Sequence, residues 1–359
     1  MTRRTALLLF PLVRSFGQAP WRTVADRLIR TPPDSYPFNW GEGVQMIGLM
    51  QAHGQSGDAR YADYMERWAR LFVNRDLRDL LDTGPKPRGE RPGYCGYWSP
   101  AIAIFQLYEV RPKPEYLALA DRVCAFVRDG AERSPDGALG HWIGSHQLWV
   151  DTLYMACPLL AALGRHHRRP DWIEDAARQI VLYAERLQDP RSGLFYHMWD
   201  WQTGERSPSL WGRGNGWVLM SIADTAAELD PAGARFRQLA KIAAAMLVGL
   251  RQTHRPEGTW NTILDDAASY PESSATSMFC YGLAKLARFK ALPAAEALPV
   301  ARRAWEAVNA RYVREGLVTG VSAGTDPGNA ANYKAIRTGT QTWGTGAYLM
   351  AGSEMTRAL

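Results

Sequence analysis

The sequence predicts an all-α fold, an (α/α)6 barrel of six helical hairpins, and three observations lead there. Two kinds of helix alternate along the chain. A glycine-led turn recurs between them about every 60 residues, the signature of a repeated hairpin. The first and last helices are alike, and neither carries the polar face that caps an open stack, so the repeat is expected to close on itself.

Helical periodicity dominates and strand signals are weak throughout. Twelve helices are expected, over 20–31, 42–54, 58–74, 99–109, 114–129, 147–163, 171–187, 215–229, 232–252, 274–289, 294–313 and 343–356. The segment 171–187 is amphipathic. Trp172, Ile173, Ala176, Ala177, Ile180, Val181, Ala184 and Leu187 form one stripe, with Glu174, Arg178 and Glu185 off it. Segments 148–163, 216–223 and 343–352 are apolar on nearly every side, which requires burial on every side. An inner ring surrounded by an outer ring satisfies both patterns. The recurring turns are Gly137-Ala138-Leu139, Gly193-Leu194-Phe195, Gly258-Thr259-Trp260 and Gly316-Leu317-Val318, each after an amphipathic helix and before an apolar one. Residues 20–359 are therefore read as one catalytic barrel. Residues 1–19, with Arg3-Arg4, the apolar run Ala6 to Val13 and the small residues Gly17 and Ala19, read as a signal peptide, so export to the periplasm or medium is expected; a start helix or tail in the cytoplasm is the alternative.

The composition is that of an ordinary globular chain: 46% apolar and 22% charged over 359 residues. The net charge of +6 fits an anionic sugar at least as well as a nucleic acid, and general solubility better than either. The short cluster His166-His167-Arg168-Arg169 reads as solvated loop, and no nucleic-acid partner is expected. No stretch reaches the ~18 apolar residues of a membrane span. Cys95, Cys124, Cys157 and Cys280 form no CxxC pair and no zinc spacing, so neither a disulfide framework nor a metal is expected. Nucleotide loops, dinucleotide fingerprints and nucleophile elbows are missing, and no cofactor is expected.

The loops ahead of the inner helices hold the unusual residues, and a closed ring opens them on one face. They include Gln147-Leu148-Trp149-Val150-Asp151, Tyr196-His197-Met198-Trp199-Asp200 and Trp211-Gly212-Arg213-Gly214-Asn215-Gly216-Trp217. Most of the 14 tryptophans cluster there, and an indole face suits the C–H face of a sugar; Trp172 and Trp305, on outer helices, read as core. Asp151 opens an apolar helix, where burial is expected to raise its pKa toward a general acid's; an N-cap is the other reading. Arg213 between glycines could grip a carboxylate bidentately, or pair with Asp200 or Glu205. His197 could bond a sugar hydroxyl, tune Asp151, or be a core histidine. An ordinary glycosidase needs a second carboxylate; Asp200, Asp265, Asp266 and Glu272 are available, and nothing in the sequence pairs one with Asp151.

Over residues 25–355 these motifs resemble the unsaturated rhamnogalacturonyl hydrolases of glycoside hydrolase family 105, and more distantly the unsaturated glucuronyl hydrolases of family 88. The run 211–217 is the most specific match, supported by 147–155, 193–200, Phe38-Asn39-Trp40-Gly41-Glu42-Gly43, 273–278 and 344–352. The resemblance implies the same barrel. It also implies hydration of the C4=C5 bond of an unsaturated uronate left by a lyase on an anionic oligosaccharide, with Asp151 as the proton-transfer residue. The substrate-binding residues it implies are Trp40, His141, Gln147, Trp149, His197, Trp211, Arg213, Asn215 and Trp217. Two departures stand out. Where the family carries a second Asp, residues 93–99 have no carboxylate, which leaves Tyr94, Tyr97 or Trp98 to fill that corner. Where it has a His-Lys pair, this chain has His141-Trp142. The missing second Asp is expected to leave the site more electropositive than in relatives, with a lowered Asp151 pKa and an acid-shifted optimum. A sugar epimerase or isomerase on the same barrel and a catalytically silent sugar binder are the alternatives.

Overall fold

The computed structural model describes residues 19–85 and 89–358; the expected signal peptide lies, apart from Ala19, outside the described residues. Twelve long helices form among the described residues. They are α1 (Pro20–Leu28), α2 (Trp40–Ser56), α3 (Ala59–Ala69), α4 (Ser99–Val110), α5 (Pro114–Asp129), α6 (Asp151–His166), α7 (Pro170–Leu187), α8 (Gly212–Ala226), α9 (Ala234–Thr253), α10 (Ser273–Arg288), α11 (Ala294–Tyr312) and α12 (Thr342–Ala358). Short helical segments at Leu77–Leu80 and Ala330–Ala335 lie in loops. One boundary is corrected: the helix expected from 147 starts at Asp151, because Gln147–Trp149 pairs as a strand (β1) with Met198–Asp200 (β2), antiparallel, Leu148 opposite Trp199.

The even-numbered helices make the inner ring. Each packs on the next, α2 on α4, α4 on α6, and so on to α12, which packs back on α2. Their residues are buried nearly all round, as in α8, where every residue from Gly212 to Ala223 is buried. The odd-numbered helices bury one stripe against that ring; α7 buries Ala176, Ala177, Ile180, Val181 and Leu187. The fold is the (α/α)6 barrel, and the repeat closes.

Glycine sets how tightly it closes. At Gly48 of α2 an added Cβ would lie 2.5 Å from the carbonyl oxygen of Gly346, and a Cβ at Gly346 of α12 would meet the carbonyl of Val44. The four recurring turn glycines perform a second, common task. Gly137, Gly193, Gly258 and Gly316 all take positive φ, from 71° to 94°, a conformation glycine adopts without strain. Each faces the following outer helix: Gly137 the Arg178 guanidinium on α7, Gly193 the Ala245 carbonyl on α9, Gly258 the Arg303 carbonyl on α11, and Gly316 the Thr23 carbonyl on α1. The last contact joins the end of the chain to its beginning. All four cysteines are free and buried.

Gly346→Ala is expected to lower stability by about 1–3 kcal/mol, the cost of overpacking a close contact. Gly84→Ala, where a Cβ meets nothing within 4 Å, serves as control. Equal melting temperatures for the two variants would contradict closure through this contact.

Candidate active site

Because every inner helix runs in the same sense, the loops ahead of their N-termini converge at one end of the barrel. A cavity of about 260 Å³ opens there, lined by Trp40, Arg91, Tyr94, Cys95, His141, Trp149, Asp151, Met155, Trp211, Arg213 and the loop 324–326. A neighbouring groove along Phe38, Phe72, Arg75 and Tyr97 is larger, about 360 Å³, but no carboxylate lines it.

Asp151 stands at the first position of α6, and the N-cap is Val150, whose N–H donates to the His197 carbonyl at 3.0 Å. Asp151 makes no capping hydrogen bond, so the capping alternative falls. Its carboxylate is about one-fifth exposed and meets His197 Nε2 at 3.2 Å. An ionised carboxylate only accepts, so the shared hydrogen sits on Nε2. Nδ1 meets the Tyr333 hydroxyl, 2.8 Å away. Tyr333 comes from the short helix Ala330–Ala335, fixed by a capping box at Asn329. A Tyr–His–Asp chain thus crosses from the last loop to α6.

Burial raises the Asp151 pKa and is the largest single influence, but the His197 hydrogen bond and nearby cationic charge, Arg213 included, outweigh it. The carboxyl lies below its ordinary value. This corrects the expectation that burial alone would raise it; the direction is the lowered one also expected above, with the His197 hydrogen bond as its main cause. His141 behaves oppositely. Burial pushes it down to about 3, so it is neutral in use. It stacks on Trp149 at 4.2 Å, and its Nδ1 meets Thr152 Oγ1 at 2.8 Å and Cys95 Sγ at 3.2 Å.

Of the residues expected to bind substrate, Trp40, His141, Trp149, Trp211 and Arg213 line the cavity with Asp151. Four do not. Gln147 holds the wall, accepting from Trp149 Nε1 at 2.7 Å and donating to Asp200 at 3.2 Å. His197 is fully buried behind Asp151 and packs on Trp211 at 4.1 Å. Asn215 spends its amide on the Phe195 N–H and the carbonyls of Phe195 and Trp211. Trp217 is buried, stacked on Tyr154 at 5.3 Å. The glycines around Arg213 admit protein, not ligand: a Cβ at Gly212 would lie 2.6 Å from the Asn261 carbonyl, and one at Gly214 would lie 2.6 Å from the Trp211 ring. Arg213 pairs with neither Asp200 nor Glu205. It donates to Ser322 O, Ser322 Oγ, Ala323 O and Thr325 Oγ1.

Around 93–99 the corner is filled by Tyr94 and Cys95; Trp98 is buried and Tyr97 faces the neighbouring groove. Glu272 is no second catalytic acid, since it is fully buried and caps α10 through Ser274 and Ala275 N–H groups. Asp200 accepts from Gln202 and Thr203 N–H groups in its own turn, and Asp266 pairs with Lys334. Among the cavity residues to which sequence reasoning gave no role are Arg91, Met155 and Asp326. The repeat itself held the signal for two of them, because Arg91 and Asp326 lie in the loops preceding inner helices α4 and α12.

Residues 21–359 match the model of Glycosyl Hydrolase Family 88. An unsaturated rhamnogalacturonyl hydrolase, YesR, of Bacillus subtilis is 28% identical over 344 residues, 93% of this chain and 94% of that protein. An unsaturated 3S-rhamnoglycuronyl hydrolase of Formosa agariphila is 25% identical, over 89% and 84% of the two chains. Among solved structures, a possible GH105 member from Klebsiella pneumoniae superposes with TM-score 0.83 at 25% identity, over 99% and 96%. An unsaturated glucuronyl hydrolase from Bacillus sp. GL1 shares the fold, with TM-score 0.73 at 18% identity over 94% and 95%.

Replacing His197 by Phe is expected to raise the Asp151 carboxyl from its wild-type position, since the His197 hydrogen bond is lost while burial remains. A carbon-13 titration of the Asp151 carboxyl reads this directly. A group that works protonated loses its active form above its pKa, so the wild-type rate optimum is acid-shifted and the variant's limb lies higher. A downward or absent shift in the variant would contradict the assignment.

Proposed function

The chain belongs to glycosyl hydrolase family 88, and from that premise we propose that this glycoside hydrolase releases the Δ4,5-unsaturated uronic acid from the non-reducing end of lyase-generated oligosaccharides of the pectin or rhamnogalacturonan type. The supporting observation is the carboxylate arrangement. Asp151 lies at the base of a Trp-lined cavity, coupled to His197. Among the described residues the other carboxylate lining that cavity is Asp326, which is 70% exposed at the rim and ion-paired with Arg91. Direct displacement at a glycosidic carbon calls for two carboxylates flanking the bond, one of them poised as an acid. Hydration of an enol ether calls for one proton-transfer group that acts twice.

In this reading Asp151 begins protonated. The C4=C5 electron pair takes its proton at C4, and positive charge develops at C5 and the ring oxygen. Water adds at C5 and returns a proton to Asp151, which leaves a hemiketal. The C5–O bond of that hemiketal opens to a ketone. The hemiacetal left at C1 expels the rest of the chain with its oxygen as an alcohol and becomes an aldehyde. The net change is addition of one water, and Asp151 ends as it began. Its lowered pKa in the free protein sets a condition, because the acid must be charged with a proton when substrate arrives. The uronate supplies that condition: a second negative charge in the cavity raises the pKa of its neighbour. Trp40, Trp149 and Trp211 present aromatic surface to the sugar, and His197 holds the carboxylate in place.

Asp151→Asn is expected to cut turnover by at least ~10²–10⁴-fold, the scale of a lost general acid, while substrate affinity and melting temperature stay near wild type. Loss of the double bond's ultraviolet absorbance measures the rate, with saturated uronides as non-substrates. A variant retaining more than about a tenth of the activity would exclude Asp151 from the proton transfers.

A further inference from the structure

The cavity contains two guanidinium groups, and they are in opposite conditions. Arg213 is 1% exposed. All four hydrogens on its terminal nitrogens have acceptors: Nη1 donates to Ser322 O at 3.0 Å and to Ser322 Oγ, and Nη2 to Ala323 O at 2.9 Å and Thr325 Oγ1 at 2.8 Å. Its plane is held between indoles, 4.7 Å from the Trp211 ring and 5.5 Å from that of Trp343. Turning this fork onto a ligand would strip donors from the Ser322 and Ala323 carbonyls, and each buried polar group left unpaired costs ~1–3 kcal/mol. Arg213 is built to hold the loop that brings Gly324, Thr325 and Asp326 to the cavity.

Arg91 is the reverse. Its side chain is 41% exposed. Among the described residues its one hydrogen bond runs from Nη2 to Asp326 Oδ1, at 3.3 Å. An ion pair this exposed contributes only about 0–1 kcal/mol, so an incoming anion displaces or shares it at little cost. The guanidinium is nevertheless oriented. Its central carbon lies 4.9 Å from the centre of the Trp142 ring and 5.5 Å from that of Trp149, two indoles at 82° to each other, and such cation–π contacts hold the head group beside the aromatic wall while leaving N–H donors for a ligand. Trp149 is itself a cavity wall. The result is a half-exposed guanidinium held beside the aromatic surface on which a sugar would lie.

We propose that Arg91 is the residue that takes the uronate carboxylate, and that Arg213 is a positioning residue for the 322–325 loop. The assignment rests on the uronide reading of this site. It makes Arg91 the determinant of acidic over neutral sugars and Asp326 the counter-ion that occupies the fork until substrate arrives. Charge bookkeeping in the cavity fits: Arg91 and Arg213 balance Asp151 and Asp326, so a bound uronate leaves one excess negative charge, which protonation of Asp151 removes.

The test is binding, measured by calorimetry in an Asp151→Asn background, with an unsaturated uronyl–rhamnose disaccharide and its methyl ester as paired ligands. The Asp151→Asn protein should bind the acid more tightly than the ester. Adding Arg91→Gln should weaken the acid by about 10–100-fold, the worth of a charge-assisted pair, and leave the ester nearly unchanged. Arg91→Lys should recover part of the loss, and Asp326→Asn should tighten the acid. Equal losses for acid and ester would mean that Arg91 only packs the rim and would overturn the assignment. Arg91→Gln without effect on either ligand would do the same, as would a protein that binds neither. Wild-type turnover of the same disaccharide is followed separately. Acid-selective binding that depends on Arg91 without turnover would sink the hydrolase reading and leave the carboxylate assignment standing.

Discussion

Everything at the catalytic end depends on how closely α2 and α12 approach. These are the first and last helices of the inner ring, and they meet backbone to backbone at Gly48 and Gly346. With that contact made, six apolar helices share one buried centre, and their N-terminal loops are forced onto a single rim. Without it the repeat would be an open stack, and the loop carrying Asp326 and Tyr333 could not face the one carrying Arg91. A residue near the end of the chain, Tyr333, thereby supports a histidine 136 positions earlier, and that histidine orients the carboxylate at the start of α6.

The site built on this rim divides its polar residues between scaffold and chemistry. Asn215, Gln147 and Glu272 are satisfied by protein and hold walls, and Arg213 commits both terminal nitrogens to the 322–325 loop. Asp151 remains partly exposed, with a single histidine contact, and Arg91 remains on a weak rim pair. Residues already committed to buried partners are poor ligand groups, because engaging a ligand would strand those partners. Residues held by stacking or by one hydrogen bond are preoriented and still available.

The barrel was legible in the sequence because both of its signals are local. Apolar character on one side or on every side fixes outer and inner helices, and the turn glycines mark a position where positive φ and a close neighbour, a carbonyl in three of the four, both exclude a side chain. Asp151 was legible for a related reason, since a carboxylate at the head of an all-apolar helix is anomalous. Its pKa direction depended on partners from other loops. In the Trp-Gly-Arg-Gly-Asn-Gly-Trp run, sequence reading took more residues for ligand contacts than line the cavity, which only Trp211 and Arg213 do. There the glycines fit against Asn261, Trp211 and Met278, the asparagine ties two loops, and the second tryptophan packs inside the ring. Arg91 had no motif to announce it. Its importance comes from Trp142 and Trp149, which a different loop brings beneath it. It places a cation beside Trp142, the position where the resembling family tends to have lysine.

One carboxylic acid acting at a carbon–carbon double bond is the centre of this account, and the path of oxygen distinguishes it from displacement at the glycosidic carbon. Digestion of an unsaturated disaccharide in water enriched in oxygen-18, with mass and carbon-13 analysis of the product, locates the new atom. Hydration by Asp151 predicts the label on the C5 ketone, with C1 and the released sugar unlabelled. Label bound at C1, with none at C5, would contradict it.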